Sequence, residues 1–228
     1  MSNNYGPRIV TDGLVLCLDA ADKKSYPGSG TTWYDRSGNG NNGILTNGPT
    51  FDSGNGGSIV FDGADDYATI PSPQLVGKSV ITIEMFTNWR SKNGGMFLGF
   101  TLYDVFTYGG HLGYNNGNGN LIGISSTTVT NLSLKGNFHN YVFIMKDGGY
   151  NLSDNKIYID GEDMGALTPQ LSSDGPCRNF TNSFRLCSWN NGGFNGDNVI
   201  SNVKVYDREL STSEIQQNYN ATKNRFGY

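Results

Sequence analysis

Residues 58–70 read SIVFDGADDYATI, two alternating apolar stretches broken by DGADD. Aspartate is among the residues that strands tolerate worst, so Asp62, Asp65 and Asp66 interrupt the run rather than belong to it. Phe61 closes one strand, Asp62-Gly63 turns the chain, and Tyr67 and Thr69 resume the alternation. The stretch is therefore expected to be two strands with a polar loop between them. Similar short apolar or period-2 runs recur at 14–19, 80–86, 141–145, 156–160, 184–188 and 199–206, each bounded by Gly, Asn, Asp or Pro. Strands spaced in this way indicate an all-β sandwich or barrel. Asp160-Gly161 adds the turn dipeptide of a tight hairpin.

Composition agrees. With 228 residues the chain can form a single domain with its own core. Only 16% of residues are charged while 32 are glycine, so the surface is built largely from neutral polar turns. The net charge of −4, with no basic run, lacks the electrostatic footprint of a nucleic-acid binder. No stretch reaches the ~20 apolar residues of a membrane span, and MSNNYGPRIV has none of the marks of a secretory leader. A soluble chain made in a cytoplasm is expected. Residues 1–12 read as an N-terminal arm and 13–228 as one domain.

Two Gly/Asn-dense stretches, GGHLGYNNGNGNLIG and WNNGGFNGDN, read as flexible exposed loops. Only the end looks helical. Ser211 and Glu214 make a capping box, and Ile215, Tyr219 and Phe226 fall near one face of the segment that follows. Cys17, in GLVLCLD, reads as a small buried hydrophobe, and Cys177 and Cys187 are either a disulfide or free thiols. The N-x-S/T sequences at Asn131, Asn151, Asn179 and Asn220 are chance matches in an asparagine-rich chain.

The order of SIVFDGADDYATI, ITIEMFTNW, GNFHNYVFIMKDG, NKIYIDGEDMG and FNGDNVISNVKVYDRELSTSEIQQNY resembles the laminin-G-like family with the concanavalin A-type jelly roll. The stretch DGLVLCLDAADKKSYPGSGTTWYDRSGNGNNGILTNGPTF is similar to the version found in structural proteins of tailed bacteriophages. The resemblance implies two antiparallel sheets packed face to face, with first and last strands pairing. It also implies calcium at the DGADD loop, held by Asp62, Asp65 and Asp66 with help from Asp197, since calcium takes six to eight oxygens from carboxylates and loop carbonyls. Ser201 and Asn202 stand where the family's final strand would carry a supporting acid.

Catalytic chemistry finds little support. Glycosidases of this fold carry paired acids on one strand, whereas Glu84 stands alone in TIEMF and Glu162 and Asp163 lie in a turn. His111 and His139 are the only histidines, no G-x-S-x-G elbow accompanies them, and His139 reads as structural. The chain is accordingly expected not to be an enzyme. For ligand binding, Trp189, Asn190, Asn191, Tyr108 and Tyr114 lie in or beside the Asn/Gly loops, where rings stack on sugars and amides read hydroxyls. The function expected is a virion structural protein, a capsid decoration, fibre or knob that meets host-surface glycans. Its partners would be other virion proteins and further copies of itself, with neither nucleic acid nor membrane insertion. A free carbohydrate-binding lectin module and a degenerate glycoside hydrolase are the alternatives.

Overall fold

The computed structural model describes residues 8–71, 74–101, 103–115, 121–147, 155–170, 180, 181 and 183–228. Strands follow one another along the chain as β1 (Leu14–Asp19), β2 (Thr32–Trp33), β3 (Gly43–Thr46), β4 (Thr50–Asp52), β5 (Ser58–Val60), β6 (Tyr67–Pro71), β7 (Val80–Trp89) and β8 (Gly94–Gly99). Next come β9 (Asp104–Tyr108), β10 (His111–Asn115), β11 (Ile122–Ile124) and the short helix α1 (Ser126–Asn131). The rest is β12 (Phe138–Lys146), β13 (Lys156–Ile159), β14 (Glu162–Asp163), β15 (Thr168–Pro169), β16 (Ser183–Leu186), β17 (Asn198–Tyr206) and the helix α2 (Thr212–Thr222).

These strands form two antiparallel sheets. The first has the order β14-β13-β12-β7-β17-β5-β4, with β1 also on β17, so first and last strands pair as expected. The second runs β15-β11-β10-β9-β8-β16-β6-β3-β2. Neighbours far apart in sequence are the mark of a jelly-roll sandwich. Between the sheets, Phe97 meets Tyr141, Trp89 and Phe143 edge-on at 5.1, 6.0 and 6.0 Å. Such pairs contribute about 0.5–1.5 kcal/mol each beyond the area they bury.

The DGADD reading holds, because residues 62–66 join β5 to β6. Asp160 (φ 53°) and Gly161 (φ 86°) both have the positive φ of a tight hairpin turn, and they join β13 to β14. The capping box also forms, with Ser211 capping α2 and Glu214 reaching back to the Ser211 backbone at 2.9 Å.

Two expectations need correction. GGHLGYNNGNGNLIG is not one long loop, because His111–Asn115 and Ile122–Ile124 are paired strands of the second sheet; residues 116–120 lie outside the described residues. Glycines at 113 and 123 pair directly, and their missing side chains hid the strands from any hydropathy pattern. Helix is not confined to the end, since Ser125 caps α1 through Thr128 N. Of the expected N-terminal arm, residues 1–7 lie outside the described residues, while Val10 is 8% exposed and donates its N–H to Asn218 Oδ1 at 2.7 Å. No helix among the described residues is long and apolar enough to cross a membrane.

Candidate functional site: the open face of the second sheet

The two outer faces differ. On the first sheet, α2 and the turn after it lie over β7: Phe86 stacks on Tyr219 at 6.1 Å and on Phe226 at 4.3 Å. Beneath α2, Glu84 and Lys204 sit directly opposite one another on β7 and β17, and Lys204 Nζ bonds Glu84 Oε1 at 3.0 Å. Glu84 also accepts from Asn140 at 3.1 Å and from Asn218 at 2.6 Å. This buried network occupies the first sheet's outer face, and Glu84, 0% exposed, is out of reach of any substrate.

Among the described residues nothing comparable covers the second sheet. Val105, Leu112, Tyr114, Leu186, Ala68 and Ile70 point into the core, so their strand neighbours point outward. One register row runs Asn115, Asp104, Gly99, Arg185, Thr69, Ile44, Thr32 across the face. Gly99 is the gap in this row. A Cβ there would stand 2.7 Å from the Ser188 carbonyl oxygen and 2.8 Å from Trp189 Cα, so the missing side chain lets the 188–190 turn close over the sheet.

That turn brings several polar and aromatic groups to Arg185. The guanidinium lies 4.0 Å from the centre of the Tyr67 ring, the stacked arrangement that planar cations favour. Its Nη1 reaches the Trp189 carbonyl at 3.4 Å, and its buried Nε has no hydrogen-bond partner among the described residues. Trp189 donates Nε1 to the Thr101 carbonyl at 3.1 Å, and Asn190 donates to Thr101 Oγ1 at 3.1 Å. Across Gly99, Asn115 donates to Asp104 at 3.3 Å. Arrays of flat rings and fixed polar heads suit a saccharide, which offers a C–H face to stack and hydroxyls to read.

Of the five residues expected to bind ligand, Trp189 and Asn190 fall in this array, and Asn191 is exposed in the same turn. Tyr108 stands at the far end of β9 and is 54% exposed. Tyr114 does not belong. It is 0% exposed and its hydroxyl bonds the Ile144 carbonyl at 3.2 Å, because on β10 it shares the inward face with Leu112. Arg185 and Tyr67 were missed; FRLCS shows a lone arginine on the polar side of a strand, and its stacking partner is far away in sequence.

At the DGADD loop, oxygens of Asp62, Asp65 and Asp66 converge within 4.8 Å. Asp62 Oδ1 accepts from Ala64 N at 2.7 Å, which holds its carboxyl below the usual range, while burial raises that of Asp66. Asp197 does not join them, being turned to Lys92 N at 3.0 Å and Ser91 Oγ at 2.8 Å. The carbonyls of Phe61, Gly63, Ala64 and Asp65 accept from Arg90, Lys92, Asn195 and Asn47. Two cationic side chains thus already serve the loop's carbonyls, while the three carboxylates stay gathered at its centre.

The histidines hold structure. His139 Nδ1 lies 2.6 Å from Asp160 Oδ2, with Nε2 3.3 Å from the Ser133 carbonyl, and His111 Nδ1 accepts from Ser126 N at 3.0 Å. Cys187 is buried and free, and burial pushes its thiol up to about 12; Cys177, its suggested partner, lies outside the described residues.

Comparison with known proteins now adds the family. Residues 62–216, more than half of the chain, match the laminin-G-like family model described as the concanavalin A-like lectin/glucanases superfamily. The chain belongs to that family. No curated protein matches it closely enough to count as a relative. Among solved structures it is similar to Trypanosoma rangeli sialidase in complex with a difluorinated nononic acid, at 16% identity and TM-score 0.65, over 95% of this chain and 34% of that one. The same sialidase in complex with sialic acid matches at 15% identity and TM-score 0.58, with the same coverage of 95% and 34%. The receptor binding domain of botulinum neurotoxin C/D mosaic serotype matches at 12% identity and TM-score 0.64, over 92% of this chain and 51% of that one. This family member thus spans a third to a half of the length of those proteins.

These likenesses show the fold, and they correct one expectation. The lack of an acid pair leads to the expectation of a chain that is not an enzyme, yet the same fold recurs within a sialidase of which about two thirds lies outside the match. The motifs of one sandwich do not bear on catalytic groups carried elsewhere in a larger protein. The likeness shows no activity in this chain either.

Proposed function

We propose that this chain is a lectin-type domain that binds saccharides on the open face of its second sheet, around Arg185, Tyr67, Trp189 and Asn190. The observation that carries the reading is the Arg185 guanidinium, held over the Tyr67 ring at 4.0 Å beside the Trp189–Asn190 turn, on a face that no described element covers. A guanidinium already held over a ring loses little freedom when its remaining N–H groups meet saccharide hydroxyls. The uncovered face, the lectin family and similar structures described as a receptor binding domain and as a complex with sialic acid all support it. Glycan-array binding followed by calorimetric titration tests the reading. Wild-type protein is expected to select a subset of glycans, and Arg185→Ala and Trp189→Ala to weaken them at least tenfold with little change in melting temperature.

The setting we propose is the surface of a bacteriophage particle, where the domain decorates capsid or tail beside other virion proteins and copies of itself. Support comes from the resemblance of residues 12–51 to phage structural proteins. Mass spectrometry of purified source particles is expected to find the chain; its absence would remove the setting and leave the saccharide reading intact.

A further inference from the structure

At the end of the sandwich away from Trp189 lies a cleft of about 420 Å³, within the ~300–1,000 Å³ usual for small-molecule sites. Gly110, Ser126, Thr130, Ser133, Lys135 and Asn137 line it, and the buried Val129 gives it an apolar floor. The lining holds hydroxyls, an amide and one cation but no carboxylate, in a chain whose net charge is −4. We infer that this cleft is a second saccharide subsite, specific for a carboxylated sugar unit, with Lys135 meeting the carboxylate. The inference rests on the saccharide-binding reading and names a ligand class that the open face does not.

Lys135 is already in place. Its backbone bridges to Trp89, Gly136 N bonds the Trp89 carbonyl at 2.8 Å, its Nζ lies 4.6 Å from the Trp89 ring centre, and Asn93 Oδ1 accepts from that ammonium. An ammonium has three donors, so capacity remains for a carboxylate, and less side-chain freedom is lost on binding. The nearby acid Asp160 is engaged elsewhere, its two oxygens serving the His139 ring at 2.6 Å and Asn140 N at 2.9 Å. Tyr108, 54% exposed, stands two residues before the lining Gly110 and pairs with Gly94 next to Asn93, and an exposed ring is a surface on which a sugar stacks. His111, next to the lining Gly110, accepts at Nδ1 from the N–H of the lining Ser126, which places its ring proton on Nε2 as a donor.

The test uses the full chain and pairs of saccharides that differ only in the acid: sialyllactose against lactose, and glucuronate- against glucose-terminated disaccharides. NMR titration is expected to show at least one acidic member binding tenfold or more tightly than its neutral twin, with amide shifts over 126–137. The preference should be lost in Lys135→Gln, return in Lys135→Arg, and shrink severalfold when salt is raised tenfold. Since Lys135 packs on Trp89, the salt series on wild type keeps the test valid if the Gln variant is unstable. Equal binding of both twins, or an acidic preference that survives in Lys135→Gln or is indifferent to salt, would overturn the inference and leave the open-face reading standing. If no saccharide of either kind binds, both fall together.

Discussion

Arg208 and Glu214 show how much one residue pair fixes. Arg208 Nη2 lies 2.6 Å from Glu214 Oε1, and together with the Ser211 backbone N–H it holds the Glu214 carboxyl down at about 2. A carboxylate with a depressed folded-state pKa gives stability that is present above the unfolded value, 4.5, and fades as pH falls towards about 2. Glu214→Gln is therefore expected to cost about 1 kcal/mol at neutral pH, the scale of a lost helix cap, with the gap to wild type closing below about pH 3 in urea melts. Burial acts in the other direction on the thiols, raising Cys17 to about 11 and Cys187 to about 12. Both should resist alkylation at pH 8 in the native protein and react only on unfolding, as read by peptide mapping; rapid labelling of Cys187 would contradict its burial. Some residue roles were legible in sequence, the Ser211 cap among them. Tyr114 was not, because its face depends on the register of β10, which Gly113 and Gly123 leave unmarked in the hydropathy pattern.

At the scale of elements, β7 and β17 carry the first sheet, and α2 seals it through Glu84, Lys204 and Asn218. Breaking a buried ion pair by removing one partner costs about 3–5 kcal/mol, because the other charge is left without compensation. Lys204→Met alone should lower stability by that amount in urea unfolding. Adding Glu84→Leu should recover most of the loss; a double variant no better than the single one would show that the pair is not the source. The long strands and the capped helix were readable because their apolar periodicity is strong, as in VITIEMFTNW and VISNVKVY. The short strands at 94–99 and 111–115 were not, since glycines occupy the outward positions that would have marked the alternation. The DGADD loop was read correctly as a loop, but the Arg90 and Lys92 contacts that now hold it arise only when β7 runs beside it. Arg90→Met is accordingly expected to lower the melting temperature, and a rise in calcium over chelator would show that the three carboxylates hold the ion as well.

Among the described residues, the decisive asymmetry lies between a sheet sealed by α2 and a sheet that no comparable element covers. Sequence patterns carried the sandwich and two of the residues now grouped around Arg185, and the family resemblance carried the pairing of first and last strands, but neither carried which face stays free, because that depends on where α2 docks. The open face places an arginine on a ring, a tryptophan and an asparagine around the gap at Gly99. Gly99→Val should displace the 188–190 turn and disturb binding while most of the core stays folded. The most direct measurement is a titration of the best glycan-array ligand into wild type and Arg185→Ala, with melting temperatures recorded in parallel. Saccharide binding on the open face predicts selective binding by wild type and at least a tenfold loss in Arg185→Ala at nearly unchanged melting temperature. An array without selective binding, or equal affinity in the two proteins, would contradict it.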